Sequence, residues 1–157
     1  IGHACNEMMR LKSEVASTLQ RMPTRADLAE SQLTRCIIGA FYETYRVLGR
    51  GFTEAIYMAA LAHELTLRGL AVAREVRVRV FYKGEEIGWV RLDMLVEDRV
   101  IVEGKAGFLP PDCREQLYGY LNATTFEVGL LLHFGIKPRF ERMYVPHTHL
   151  TKEKGAT

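Results

Sequence analysis

The sequence predicts an α/β (α+β) domain, with helices packed against a central mixed β-sheet. Three observations carry this. Apolar residues recur at helical spacing from Met8 to Leu48. Glu75 to Tyr82 alternates strictly, with Val76, Val78 and Val80 facing in and Arg77 and Arg79 facing out. Val128 to Phe134 is a short apolar run of the kind that fills a buried strand. Helices, a meander, a helix and two further strands follow one another in that order, which is the pattern of helices layered on a sheet.

The elements follow from local signals. Met8, Leu11, Val15, Leu19 and Met22 form a helical stripe over residues 5–22, and Pro23 ends it. A second helix is expected from about Leu28 to Leu48, with Leu33, Ile37, Ile38, Phe41, Tyr45 and Leu48 inward and Gly49 as its stop. Thr53 is the expected N-cap of a third helix, which ends near Arg68 with Gly69 behind it. Lys83-Gly84-Glu85 reads as a hairpin turn between the alternating strand and its return from Gly88 to Val96. Val100 to Ala106 is the next strand, Asp112 to Asn122 a helix after Pro110-Pro111, and Phe140 to Val145 a last strand. Residues 1–27 then form a helical extension, 28–146 the domain and 147–157 a polar tail.

Composition sets limits. A chain of 157 residues, 48% hydrophobic, can bury one sizeable core, so one domain is expected. A net charge of +2 permits nucleic acid as a partner without arguing for it. Cys5, Cys36 and Cys113 are far apart and form no CxxC pair, which speaks against a zinc site and for reduced thiols in a cytoplasm. No apolar run approaches the roughly 20 residues of a membrane span. The start at Ile1 reads as a trimmed terminus, and no secretory signal is visible.

The densest chemistry lies between Arg91 and Lys105. Met94 to Val96 and Val100 to Val102 flank the polar trio Glu97-Asp98-Arg99, so two strands joined by a tight turn are expected. With the trio as the loop, Val96 pairs with Val100 and Asp93 stands opposite Glu103, Cβ atoms roughly 5 Å apart. A loop of two residues would offset the acids. Lys105 is two residues past Glu103 and shares its face. Paired carboxylates suit a hard divalent cation, and the lysine suits a phosphate or an attacking water. The competing reading is a solvated charge cluster on an exposed sheet. Leu95 and Ile101 share the parity of the acids, so that face is half covered, and acids there need a partner or a metal.

The sequence also resembles a known family. Gly51-Phe-Thr-Glu54-Ala-Ile-Tyr57 matches the GxxExxY motif that names a group of small prokaryotic proteins. Leu33 to Gly39, Phe81 to Glu85, Arg91-Leu-Asp93, Val102-Glu-Gly-Lys105, Gln116 to Leu121 and Val128 to Gly135 resemble further family segments in the right order, over about Leu33 to Val145. The family is similar to the PD-(D/E)XK nuclease-like superfamily, which implies an αβββαβ core. By that resemblance Asp93 and Glu103 are metal ligands and Lys105 is the catalytic lysine. Glu54 is an accessory acid that shares the metal and the catalysis. Gln116 and Tyr120 lie near the active face, Gln116 with a catalytic role and Tyr120 touching substrate. Three departures stand out: Gly104 replaces the leucine common between acid and lysine, Tyr45 and Arg50 replace a histidine and a proline before the motif, and residues 1–27 precede the usual start.

Other readings attach to single residues. Glu54 also suits a first-turn acid at a helix N-terminus, and Tyr57, three residues on, is expected to pack. Arg114 and Lys137 are candidates for phosphate contact and equally suit ordinary surface charge. His133 reads as a satisfied core histidine. Trp89 is the only tryptophan and is expected to pack beneath the site, with base stacking as the weaker reading. The functional expectation is an Mg²⁺- or Mn²⁺-dependent nuclease acting on DNA or RNA, in which the Gly104 carbonyl adds an oxygen to the metal site. The alternative is a catalytically silent nuclease fold serving as a binding or self-assembling module, with the N-terminal stripe joining copies into a homo-oligomer.

Overall fold

The computed structural model describes residues 24–147. The helix expected over residues 5–22 lies outside them, as does nearly all of the polar tail. The elements are α1 (Arg25–Leu28), α2 (Ser31–Leu48), α3 (Glu54–Leu67), β1 (Val72–Tyr82), β2 (Glu85–Val96), β3 (Val100–Ala106), α4 (Cys113–Ala123), β4 (Val128–Phe134) and β5 (Arg139–Tyr144).

The five strands form one mixed sheet in the order β1-β2-β3-β4-β5. All neighbours are antiparallel except β3 and β4, whose parallel pairing follows from the α4 crossover between them. The helices α2 and α3 cover one face, where Ile37, Phe41, Tyr57 and Leu61 meet Met94, Val102, Leu130 and Leu132. On the other face α4 seats Leu117 and Leu121 against Leu92, Leu95, Ile101 and Leu131. Cys36 and Cys113 are free thiols. Among the described residues no helix is long and apolar enough to cross a membrane.

Three expectations need correction. The helix expected from about Leu28 to Leu48 begins later, at Ser31, and runs unbroken to Leu48. Thr24 and Asp27 close a capping box around the short α1, and Glu30 then takes a left-handed φ of 52° before α2 begins. The Arg142 guanidinium donates to the Ala29 carbonyl, an acceptor that a continuous helix would use internally. Secondly, β1 and β2 are longer than the alternating pattern suggested, beginning at Val72 and Glu85. Their two-residue turn, Lys83-Gly84, has positive φ at both positions, as a tight hairpin requires.

Thirdly, Trp89 does not pack beneath the site; it is 53% exposed, with the Arg77 guanidinium 4.1 Å from its ring centroid. A kink explains why parity failed to place it. Leu92 packs on the α4 side, whereas Met94, two residues on, packs on the α2–α3 side. Simple alternation would put both on one face. The change of face falls at Asp93, and in register across from it stands Glu75 with φ 56°. A non-glycine residue in that region stores strain of about 1–3 kcal/mol.

Candidate active site

β3 runs through the middle of the sheet and carries Glu103 into the interior, where its side chain is fully buried. The expected hairpin register holds: Val96 pairs with Val100, Leu95 with Ile101 and Met94 with Val102, with Glu97, Asp98 and Arg99 as the loop. Glu97 and Asp98 both take positive φ, and the Arg99 N–H donates to the Val96 carbonyl, closing the turn. One step beyond the last pair, Asp93 comes up beside Glu103. Its Oδ2 accepts the Gly104 N–H at 3.1 Å, so the backbone of β3 itself orients this carboxylate.

Lys105 lies on the same face and donates from Nζ to Glu103 Oε1 at 2.7 Å. The other oxygen, Glu103 Oε2, is buried without a hydrogen-bond partner. Burial, chiefly, pushes the Glu103 carboxyl up to about 7; the Lys105 hydrogen bond opposes that shift and the neighbouring Asp93 adds to it. Burial alone would lower the Lys105 ammonium, but its bond to Glu103 and the charges of Glu103, Glu54 and Asp93 hold it above the ordinary lysine value.

Glu54 opens α3. Its carboxyl is raised by burial, against the pull of Lys105 and with the repulsion of Asp93, which places it within electrostatic reach of both. Among the described residues no three acidic, histidine or cysteine side chains gather closely enough to form a metal cage, so the close pair is Asp93 and Glu103, with Glu54 outside it. Tyr57 packs, as expected. It is fully buried and stacked 4.4 Å from the Phe134 ring, and its hydroxyl donates to the Gly49 carbonyl at 2.6 Å. The same hydroxyl accepts the Phe52 N–H at 3.4 Å, so it ties down the loop that feeds Glu54 into α3.

On α4, Gln116 Nε2 donates to the Tyr120 hydroxyl at 2.6 Å. Burial raises the Tyr120 hydroxyl, partly offset by Gln116, and Glu103, Asp93 and Lys105 all act on it, so Tyr120 borders the cluster. Arg114 does not join it. Two residues before Gln116, it lies about 160° round the helix, and it pairs with Glu141 of β5 at 3.0 Å. His133 is satisfied, its Nε2 2.7 Å from the Gly107 carbonyl, which ties the exit of β3 to β4 beside Lys105.

Sequence reasoning missed Met58. A Cβ placed at Gly104 would lie 2.3 Å from its Sδ, so the glycine between acid and lysine makes room for α3. The glycine itself was the available signal. Tyr45, a departure from the family pattern, donates to the Gly135 carbonyl at 2.7 Å and secures the turn between β4 and β5.

A model of the PD-(D/E)XK nuclease superfamily matches residues 31–143, a span that takes in the acid pair, the lysine, β1 to β4 and all but the last residue of β5. The chain belongs to the PD-(D/E)XK nuclease superfamily. Members of the PD-(D/E)XK nuclease superfamily generally use divalent metals. No curated protein matches the chain at a significant level. Among solved structures, that of SSO0001 is similar over 92% of this chain and 79% of its own, at 19% identity and a TM-score of 0.47. Likeness of that degree carries no functional argument.

The site fits a divalent cation on its own chemistry. An orphaned, buried carboxylate oxygen beside a second carboxylate is an oxygen donor set for a hard ion. A cation there would offset the burial that chiefly holds the Glu103 carboxyl high, and the smaller repulsion from Asp93.

Proposed function

We propose that this protein is a metal-dependent phosphodiesterase acting on DNA or RNA, and a GxxExxY-type member of its superfamily. The observation that carries the reading is the buried, partnerless Oε2 of Glu103, a carboxyl whose other oxygen binds Lys105 and which feels the charge of Asp93. Asp93 and Glu103 would hold Mg²⁺ or Mn²⁺, and Glu54 and the Gly104 carbonyl would be further oxygen donors. The ion would supply Lewis-acid stabilisation of the scissile phosphate and lower the pKa of a bound water.

The protein's own groups do the rest. Lys105, kept protonated by its acidic neighbours, sets a fixed positive charge where negative charge grows on a phosphate oxygen. Glu54 stands at the start of α3 within electrostatic reach of Lys105 and Asp93, and its carboxylate can accept a hydrogen bond from water. Tyr120, held by Gln116, offers a hydroxyl that stays protonated and can donate to substrate. Arg114 retains a role only at the periphery, as a phosphate contact released from Glu141. The assay is cleavage of labelled DNA and RNA with Mn²⁺, Mg²⁺ or chelator. Metal-dependent cleavage lost in Lys105→Ala supports the reading; cleavage that persists in that variant contradicts it.

One observation favours a silent fold. Lys105 is locked onto Glu103 at 2.7 Å instead of standing free for substrate. In that reading the domain binds nucleic acid or assembles through the stripe from Met8 to Met22. Binding without cleavage in every metal, together with a mass that falls on deletion of residues 1–23, would favour it.

A further inference from the structure

The β1–β2 hairpin outgrows the sheet. Glu85 to Leu92 pair with β1 alone, because the β3 ladder begins at Met94. Those residues make a two-stranded arm about 26 Å long. A hairpin of this kind is marginal by itself. Its base is held because Val76, Val78 and Val90 pack onto the α4-side cluster that includes Tyr120. The opposite face has no such cover and carries a particular set of side chains. Arg77 lies across from Arg91, and Arg79 across from Trp89. Trp89 and Phe81 are 53% and 52% exposed. Arg77 stacks on the Trp89 ring at 4.1 Å, and Arg79 lies 5.5 Å from the Phe81 ring centroid.

We propose that this arm face is a docking platform for a single-stranded segment of nucleic acid, on the part of β2 that runs into Asp93. The inference rests on the phosphodiesterase reading and adds to it the form of the substrate. Exposed aromatic rings interleaved with guanidinium groups offer stacking surfaces for bases and positive charge for the backbone. Stacking requires a base whose face is free, as in a single strand and not in a paired duplex. Arg77 forms no ion pair among the described residues, while Arg79 and Arg91 are held only by exposed contacts with Glu86 at 3.5 Å and Glu75 at 3.0 Å. A phosphate can displace such contacts, since exposed pairs contribute little. Arg91 precedes Asp93 by two residues on β2, so the arm joins the sheet about 7 Å along the strand from Asp93, at the point where β2 changes face.

Trp89 is the only tryptophan of the chain, so its fluorescence reports the platform directly. The probe is an oligothymidylate of about 20 nucleotides, single-stranded or annealed to its complement, titrated into Glu103→Gln to prevent cleavage. The expected result is quenching by the single strand, with affinity at least tenfold above that for the duplex. By anisotropy of labelled oligomer, Trp89→Ala and Arg77→Ala should each weaken binding about tenfold, and Trp89→Phe should restore most of it. Absence of quenching, equal affinity for duplex, or unchanged binding in both alanine variants would overturn the proposal. In parallel, hydrolysis of bis(4-nitrophenyl) phosphate with Mn²⁺ tests the acid–lysine site in otherwise wild-type protein. The two alanine variants should hydrolyse it at the wild-type rate. Quenching with no hydrolysis refutes the phosphodiesterase reading and leaves a single-strand binder. Hydrolysis with no quenching refutes the arm alone.

Discussion

Gly104 and Met58 compete for the same space: a Cβ at Gly104 would stand 2.3 Å from the Met58 Sδ. Met58 is one turn beyond Glu54 on α3, so both lie on one side of that helix. The missing side chain on β3 therefore lets α3 approach closely and brings Glu54 within reach of Lys105 and Asp93. Gly104→Ala should destabilise the fold by about 1–2 kcal/mol, because Met58 is flexible enough to yield in part. Gly104→Leu should cost about 3 kcal/mol or more. Adding Met58→Ala should recover much of either loss in a double-mutant cycle by urea unfolding. Additive losses would show that the two residues do not share this space.

Glu103 gives the metal-free protein a pH dependence. Its carboxyl sits at about 7 in the fold against an ordinary value of 4.5. Between those values the folded state binds more protons than the unfolded chain, so stability falls as pH rises. The group costs nothing below 4.5 and its full penalty, up to about 3 kcal/mol, above 7. Urea midpoints in chelator at pH 5 and pH 8 should differ less in Glu103→Gln than in wild type. Parallel behaviour of the two proteins would show that Glu103 is ordinary.

Lys105→Ala should separate binding from chemistry. The lysine touches Glu103 Oε1, not the orphaned oxygen. Its loss should leave Mn²⁺ affinity at or above the wild-type value, while cleavage falls about 100-fold or more. Calorimetry and single-turnover cleavage read the two effects apart. A parallel loss of both would make Lys105 a support for the metal site alone.

Tyr57→Phe removes the hydroxyl that bonds the Gly49 carbonyl and the Phe52 N–H while keeping the buried ring. Stability should fall by about 1–2 kcal/mol. Cleavage should fall further than Mn²⁺ affinity, because the loop that places Glu54 is loosened. Equal cleavage at saturating metal would show that the latch is structural only.

Glu75, at φ 56°, is strained where β1 and β2 change faces beside Asp93. Glu75→Val should destabilise by about 1–3 kcal/mol, since a β-branched residue resists that conformation. Glu75→Gly should cost less than Glu75→Val although it removes the ion pair with Arg91. The reverse order in chemical unfolding would contradict the kink.

The β2–β3 hairpin was legible because Glu97-Asp98-Arg99 interrupts two apolar runs, and only one loop length aligns Asp93 with Glu103. Tyr57 was legible as packing, and Val128 to Phe134 as a buried strand, because their surroundings are continuous in sequence. The exposure of Trp89 was not legible. Parity carried it toward Asp93, and the face change at Asp93 and Glu75 depends on one residue's dihedral angles. The fit of Met58 against Gly104 depends on how α3 lies across β3, which no local pattern encodes. The break at Glu30 was half legible, since Thr24 and Asp27 have capping-box spacing while the Arg142 contact is remote in sequence.

The central claim is that Asp93 and Glu103 form a divalent cation site, and calorimetric titration with Mn²⁺ tests it most directly. Wild type should bind at least one ion with proton release near pH 7, as the Glu103 carboxyl gives up its proton. Asp93→Asn and Glu103→Gln should each weaken that binding at least tenfold while their circular dichroism stays that of wild type. Undiminished binding in both folded variants, or no binding by wild type, would contradict the account.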